Sequence, residues 1–118
     1  MHDDDAKARL IAEAASSKRA ERPVILDLRG LTPICDYFVI CSGRSKVHVR
    51  AVTEAIEEAA ATAGIRAHHR EGGSDAAWVL MDYGDVVVHV FTPETRAYYD
   101  LEHLWGDARI VPFEPEAA

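Results

Sequence analysis

Residues 78–106, WVLMDYGDVVVHVFTPETRAYYDLEHLWG, decide how this chain folds. The apolar run 78–81 and the β-branched run 86–91 predict two strands. Gly84 lies between them and supplies the positive φ that a tight hairpin turn needs. Thr92 as cap and Pro93 at the first helical position then predict a helix that ends at Gly106. The stretch is therefore interpreted as a β-hairpin followed by a short helix rich in aromatic side chains.

The remaining sequence predicts one α/β domain over residues 1–118. Ser45 is expected to cap a long helix that ends at Gly64, because apolar residues follow a three-to-four spacing between them. An N-terminal helix and connector occupy residues 1–22, with the helix at 5–17, and a tail occupies residues 107–118. Further strands are predicted at residues 24–28, 37–41 and 65–70. We expect a mixed β-sheet of about five strands with packed helices, in which the strand 37–41, apolar on both faces, is central.

Composition limits the function classes. The chain has 118 residues, 48% of them hydrophobic, and a net charge of −7. No apolar run approaches the roughly 20 residues that span a bilayer, and the acidic N-terminus has the wrong sign for a leader peptide. We therefore expect a cytoplasmic protein. The charge disfavours a nucleic-acid binder and suits a basic protein partner.

Cys35 and Cys41 are interpreted as buried thiols in a reducing compartment. They lie six residues apart in one apparent strand, on the same face, and their backbones would be about 20 Å apart. That separation excludes a disulfide bond between them.

Several motifs in order over residues 24–106 resemble the ribosomal silencing factors, the RsfS or Iojap family. They are ICDYFVI at residues 34–40 with SGRS at 42–45 and His48-Val49, then REG at 70–72, DYGD at 82–85 after Trp78, VHV at 88–90, and Tyr99 with Leu101-Glu102 and Leu104-Trp105. The resemblance implies a nucleotidyltransferase-like α/β fold without a catalytic motif. It implies binding to the fourteenth protein of the large ribosomal subunit, which blocks small-subunit docking and represses translation under nutrient limitation. It also implies a homodimer when the protein is free.

The candidate partner-binding residues come from this resemblance and from the aromatic side chains. Tyr and Trp dominate binding hot spots, and Tyr83 at a turn tip is expected to stay exposed. Acidic neighbours would supply charge complementary to a basic partner. The predicted set is Trp78, Asp82, Tyr83, Gly84, Asp85, Tyr99, Leu101 and Glu102.

An enzyme remains the main alternative. The loop Gly72-Gly73-Ser74 followed by Asp82 and Asp85 is similar to the Gly-Ser turn and paired acids of nucleotidyltransferases. Acids at i and i+2 share one strand face and can share a metal, but these acids are three apart across a turn. The interpretation of Asp82 and Asp85 as turn formers is therefore preferred.

The histidines give no complete site. His68 and His69 are adjacent on a strand and point to opposite faces, while His69 and Glu71 lack a third metal ligand. His89, on a face with Val87 and Phe91, is expected to be a core or interface residue. The sequence predicts no catalytic residue, no metal site and no cofactor.

Cations gather at the start of the long helix. Arg44 and Lys46, with His48 and Arg50 nearby, offer a small anion contact for a ribosomal RNA phosphate. The alternatives are a solvated helix end or, as a second function class, a direct RNA-binding module.

Overall fold

The computed structural model describes residues 5–115, which form a six-stranded mixed sheet with helices on both faces. The strand order is β3-β4-β5-β2-β1-β6, and only β2 and β5 run parallel. The elements are α1 (Ala6–Ser17), β1 (Glu21–Asp27), β2 (Tyr37–Ser42), α2 (Lys46–Thr62), β3 (His69–Glu71), β4 (Trp78–Asp82), β5 (Val86–Phe91), α3 (Pro93–Tyr99), α4 (Leu101–Leu104) and β6 (Arg109–Val111). The outer parts of the predicted N-terminal and C-terminal segments, residues 1–4 and 116–118, lie outside this description.

The predicted class, a mixed α/β sheet with packed helices, is confirmed. Strand β5 has its predicted bounds, and β2 is central, between β5 and β1. Helix α2 begins as expected, since the Ser45 hydroxyl accepts the His48 N–H at 3.2 Å. Gly64 follows its C-terminus with φ +76°, a conformation that glycine adopts at little cost.

The sheet has two different faces. Helices α1 and α2 cover one of them, the helical face, where side chains such as Val86, Val88 and Val90 pack. The alternate residues of β5, Val87, His89 and Phe91, point to the opposite face, which we call the open face. Among residues 5–115, the helices on the open face are the short α3 and α4, and several of its apolar side chains are only partly buried.

Four predicted elements differ from the structure. The strand predicted at residues 24–28 is shifted towards the N-terminus, to Glu21–Asp27. The predicted strand at residues 65–70 is reduced to His69–Glu71. The single final helix is broken at Asp100, whose φ of 48° is left-handed. The tail contains β6, which pairs antiparallel with β1. The sheet therefore has six strands rather than about five, because an edge strand of three residues leaves little pattern in a sequence.

The cysteine geometry was predicted wrongly in two respects. Cys35 precedes β2 rather than lying within it. Cys35 also packs on the open face, whereas Cys41 packs on the helical face. Both are free and buried, as expected. Burial raises the pKa of Cys35 to about 11 and that of Cys41 to about 12, so both thiols stay protonated near neutral pH.

Candidate partner-binding surface

A cluster of large apolar side chains on the open face keeps part of its area in contact with solvent. We call it the aromatic face; its members are Phe38, Trp78, Leu80, Tyr99, Leu101 and Trp105. The rings of Trp78 and Tyr99 have centroids 4.6 Å apart, and those of Phe38 and Trp105 are 6.0 Å apart and nearly perpendicular. Helix α3 supplies Tyr99, α4 supplies Leu101, and Trp105 directly follows α4; the strands supply the rest. The structure thus brings together three of the predicted partner-binding residues: Trp78, Tyr99 and Leu101.

His89 forms the floor of this cluster. Its Nδ1 accepts a hydrogen bond from Nε1 of Trp78 at 3.1 Å, and its ring lies 4.5 Å from that of Phe38. Burial lowers the pKa of His89 to about 4, so the imidazole is neutral near pH 7. The expectation of a core histidine is confirmed, and its contact with Trp78 holds the indole in one orientation.

Tyr83 corrects a prediction. It was expected to be exposed at the turn, yet only 3% of it is accessible, because its ring enters the core of the helical face. Its hydroxyl lies 3.8 Å from the Met81 sulfur, and burial raises the pKa of that hydroxyl. The side chain is therefore not available to a partner in this fold.

The remaining hairpin residues lie at the other end of β4 from Trp78. Asp82 shares a strand face with Trp78 but is four residues away, about 13 Å along the strand. Its carboxylate accepts the Gly84 N–H at 2.8 Å, with Gly84 at φ +92°. Asp85 is paired with Lys7 of α1 at 2.7 Å. Asp82 is thus a turn former, as predicted, and Asp85 ties the turn to α1.

Arg96 is a structural residue that sequence reasoning did not identify. Its guanidinium is 2% exposed and bonds the carboxylate of Glu102 at 2.7 Å and the hydroxyl of Ser42 at 3.0 Å. It also donates to the backbone carbonyls of Glu21 and Arg22. These bonds join α3 and α4 to the ends of β1 and β2. We call this set of bonds the Arg96 clasp. Glu102 was predicted to contact a partner, but its carboxylate accepts hydrogen bonds from Arg96, which also lower the pKa of Glu102.

The segments that suggested enzyme or metal chemistry have other partners. Gly72, at φ +102°, lies so close to β4 that a Cβ there would meet the Trp78 carbonyl oxygen at 2.6 Å. His69 Nε2 is 2.9 Å from a Glu71 carboxylate oxygen. Within residues 5–115, no third side chain completes a metal-ligand cluster. Arg44 and Lys46 are exposed at the start of α2, as predicted.

Comparison with known proteins agrees with this architecture. The family described as "Ribosomal silencing factor during starvation" matches residues 2–118. Proteins named ribosomal silencing factor RsfS are 46% identical in Halalkalibacterium halodurans, over 89% of this chain and 90% of theirs, and 44% identical in Bacillus subtilis, over 90% of each. A crystal structure from Chromobacterium violaceum superposes with a TM-score of 0.85 at 32% identity, over 99% of this chain and 97% of that one. None of the helices within residues 5–115 is long and apolar enough to cross a membrane. With a family match over nearly its whole length, this chain belongs to the ribosomal silencing factor (RsfS) family.

Proposed function

We propose that this protein binds the large ribosomal subunit through the subunit's fourteenth protein and sterically blocks association with the small subunit. The observation that carries the proposal is the aromatic face. Helices α1 and α2 cover the central strands on the helical face, whereas Trp78, Tyr99 and their neighbours remain accessible on the open face. An accessible aromatic cluster of this kind is typical of a macromolecular contact.

The charge of the chain supports a basic protein as the partner. Net charge is −7, and complementary charge both speeds encounter and disfavours wrong partners. On the open face, Glu71 lies opposite Leu80 in the sheet register and Asp82 lies two residues after Leu80 on the same strand. Acidic groups beside an apolar centre are the arrangement expected opposite a basic, partly apolar surface.

Repression by this route needs no chemistry. A domain bound at the joining face excludes the small subunit in proportion to its occupancy, which depends on concentration and affinity alone. We propose that the protein acts in the cytoplasm and represses translation under nutrient limitation. The free aromatic face would also favour a homodimer in the absence of the subunit. Homodimer formation and binding to the large subunit would compete if both used the aromatic face.

The nucleotidyltransferase-like alternative is less well supported. It requires Asp82 and Asp85 to converge on one metal ion, but Asp82 caps the turn at Gly84 and Asp85 is paired with Lys7. Gly72 serves a close backbone approach to β4 rather than opening a helix. A metal-dependent loss of nucleoside triphosphate that is abolished in Asp82→Asn would favour this alternative.

The partner assignment is tested by titrating the full-length protein with the isolated fourteenth protein of the large subunit. We expect saturable binding that is weakened in Tyr99→Ala and retained in Val47→Ala, an exposed apolar residue on α2. Binding to the large subunit without binding to the isolated protein would contradict the assignment of the partner.

A further inference from the structure

A basic cluster lies at one end of this acidic molecule. Residues 18–22 and 44–50 contain six of the thirteen lysines and arginines and only one acidic residue, Glu21. Five of these cations are exposed and have no carboxylate within salt-bridge distance among residues 5–115, whereas Arg50 is paired with Glu54. We call the five the basic end: Lys18, Arg19, Arg22, Arg44 and Lys46.

His48 joins the two segments. Its Nδ1 accepts the backbone N–H of Arg44 at 2.9 Å, so the neutral ring carries its proton on Nε2. Nε2 in turn donates to the backbone carbonyl of Lys18 at 2.7 Å. Gly43 permits the close approach of this loop to α2, because a Cβ there would meet the Val49 nitrogen at 2.6 Å. The cations are thus held together by the fold, although 22 and 44 are far apart in sequence.

Two of the cations occupy unfavourable backbone conformations. Arg19 has φ +61° and Arg22 has φ +48°, in the left-handed region where glycine is preferred. Arg19 occupies the position after the α1 C-terminus that is usually glycine: its N–H bonds the Ser16 carbonyl, and the Ala20 N–H bonds the Ala15 carbonyl. Long cationic side chains at strained positions suggest a use outside folding.

The basic end adjoins the aromatic face. The sheet register aligns Trp78 with Phe91, Phe91 with Ser42, and Ser42 with Glu21. Trp78 and Ser42 are therefore two strand spacings apart, about 10 Å. A partner seated on Trp78 extends to the basic end without leaving this edge of the molecule.

We propose that the basic end contacts the phosphate backbone of ribosomal RNA beside the protein partner. This inference rests on the proposed function and adds a second, electrostatic contact to it. The geometry favours RNA backbone over a second protein because Arg44 and Lys46 flank the N-terminus of a 17-residue helix and His48 holds the Lys18 backbone beside them. Arg22 lies further along, where its charge acts on Glu102. The rest of the chain is acidic, so the contact would be local and would orient the protein on the subunit.

The test measures binding of the full-length protein to purified large subunits over a series of KCl concentrations at fixed Mg²⁺. Each phosphate contact contributes about 0.7–0.9 to the slope of log affinity against log salt. We expect Arg44→Gln with Lys46→Gln to reduce the magnitude of that slope by about 1.6. Arg66→Gln is the control for each single substitution in this pair, since Arg66 is exposed beyond the other end of α2, has no ion pair among residues 5–115 and should leave the slope unchanged.

A second double variant separates the contact from folding. Arg19→Gly with Arg22→Gly removes two cations and relieves the left-handed strain, so we expect a melting temperature no lower than that of the unchanged protein together with a smaller salt slope. Equal slopes in both double variants and the unchanged protein would overturn the proposal. Loss of binding to phosphatidylglycerol vesicles in these variants, with no change in the subunit slope, would reassign the basic end to lipid headgroups. Absence of any binding by the unchanged protein would instead refute the proposed function.

Discussion

Nε1 of Trp78 donates a hydrogen bond to Nδ1 of His89 over 3.1 Å, which links the most prominent ring of the aromatic face to a buried titratable group. The neutral imidazole carries its proton on Nε2, which is buried and has no hydrogen-bond partner among residues 5–115. Protonation of Nδ1 would place an N–H against the indole N–H and break the link. The orientation of the Trp78 ring in the aromatic face therefore depends on a neutral His89 side chain.

This link predicts a pH dependence of stability. Burial lowers the pKa of His89 from 6.5 to about 4 in the folded state. Between these values the unfolded chain binds a proton that the folded chain does not, so stability is lost as pH falls from about 6.5 towards 4. The loss should reach about 3 kcal/mol. Urea unfolding at a series of pH values measures it.

His89→Gln is the control for that experiment, because its amide oxygen can accept the Trp78 N–H but does not titrate. The pKa values of Asp27 and Glu102 are lowered by Arg29 and Arg96, so these carboxyls lose their contributions mainly below this window. Both are present in His89→Gln, so the difference between the two proteins isolates His89. An unchanged pH dependence in His89→Gln would show that other groups are responsible.

Removing single rings of the aromatic face should weaken subunit binding without unfolding the protein. Tyr99 is 47% exposed and its ring packs against that of Trp78 at an interplanar angle of 45°, so Tyr99→Ala removes contact area with little loss of stability. Hot-spot aromatics contribute about 2 kcal/mol or more, which corresponds to a loss of affinity of about 30-fold. Cosedimentation with large subunits measures the loss, and unchanged circular dichroism confirms folding. Full affinity in both Tyr99→Ala and Trp78→Ala would place the contact elsewhere.

We expect substitution of Arg96 to lower the stability of the fold more than it weakens binding to a partner. Arg96→Ala leaves the Glu102 carboxylate and the carbonyls of Glu21 and Arg22 without their donor. Because Arg96 is buried but Glu102 is partly exposed, this loss should reduce stability by about 2–4 kcal/mol, less than for a fully buried pair. Glu102→Gln keeps an acceptor for the guanidinium, so its effect should be about 1–2 kcal/mol. Denaturant unfolding of both variants checks the order; equal and small effects would mean that the clasp contributes little.

Gly72 and Gly73 form a matched pair. An alanine at 72 would combine a φ of +102° with a Cβ 2.6 Å from the Trp78 carbonyl oxygen, while a Cβ at 73 meets nothing within 4 Å. We expect Gly72→Ala to lower stability by about 2–4 kcal/mol and Gly73→Ala to change it by less than about 0.5 kcal/mol. Thermal unfolding distinguishes them. Two stable variants would remove the packing explanation and return this loop to consideration as a ligand-binding turn.

The fold follows from the sequence wherever a local signal exists. Ser45, Gly64 and Pro93 mark helix ends because capping and backbone conformation are properties of single residues. Strand β5 is recognisable because β-branched and aromatic residues, which make up most of its sequence, are enriched in strands. Strand β6 is not recognisable, since a three-residue edge strand forms only when β1 is already in place.

The site was harder to predict because it depends on contacts between distant residues. Burial of Tyr83 depends on α2 and β3 packing beside the hairpin, which places Glu57 and Arg70 near its ring. The clasp of Arg96 joins residues up to 75 positions apart. The sequence predicts Trp78 and Tyr99 separately as partner-binding residues. The fold adds that their two rings are in contact with each other. No local signal pointed to the contact between Arg96 and Glu102, because the two are six residues apart and the burial of Arg96 is visible only in the fold.

The central claim is that occupancy of the large subunit by this protein prevents subunit joining. The most direct measurement titrates the protein into separated large and small subunits and follows both the bound large subunit and the assembled ribosome on a gradient. We expect the assembled fraction to fall as the large subunit becomes occupied, and we expect Tyr99→Ala to shift both curves together to higher protein concentration. Large subunits that carry the protein and still join small subunits in full would contradict the central claim.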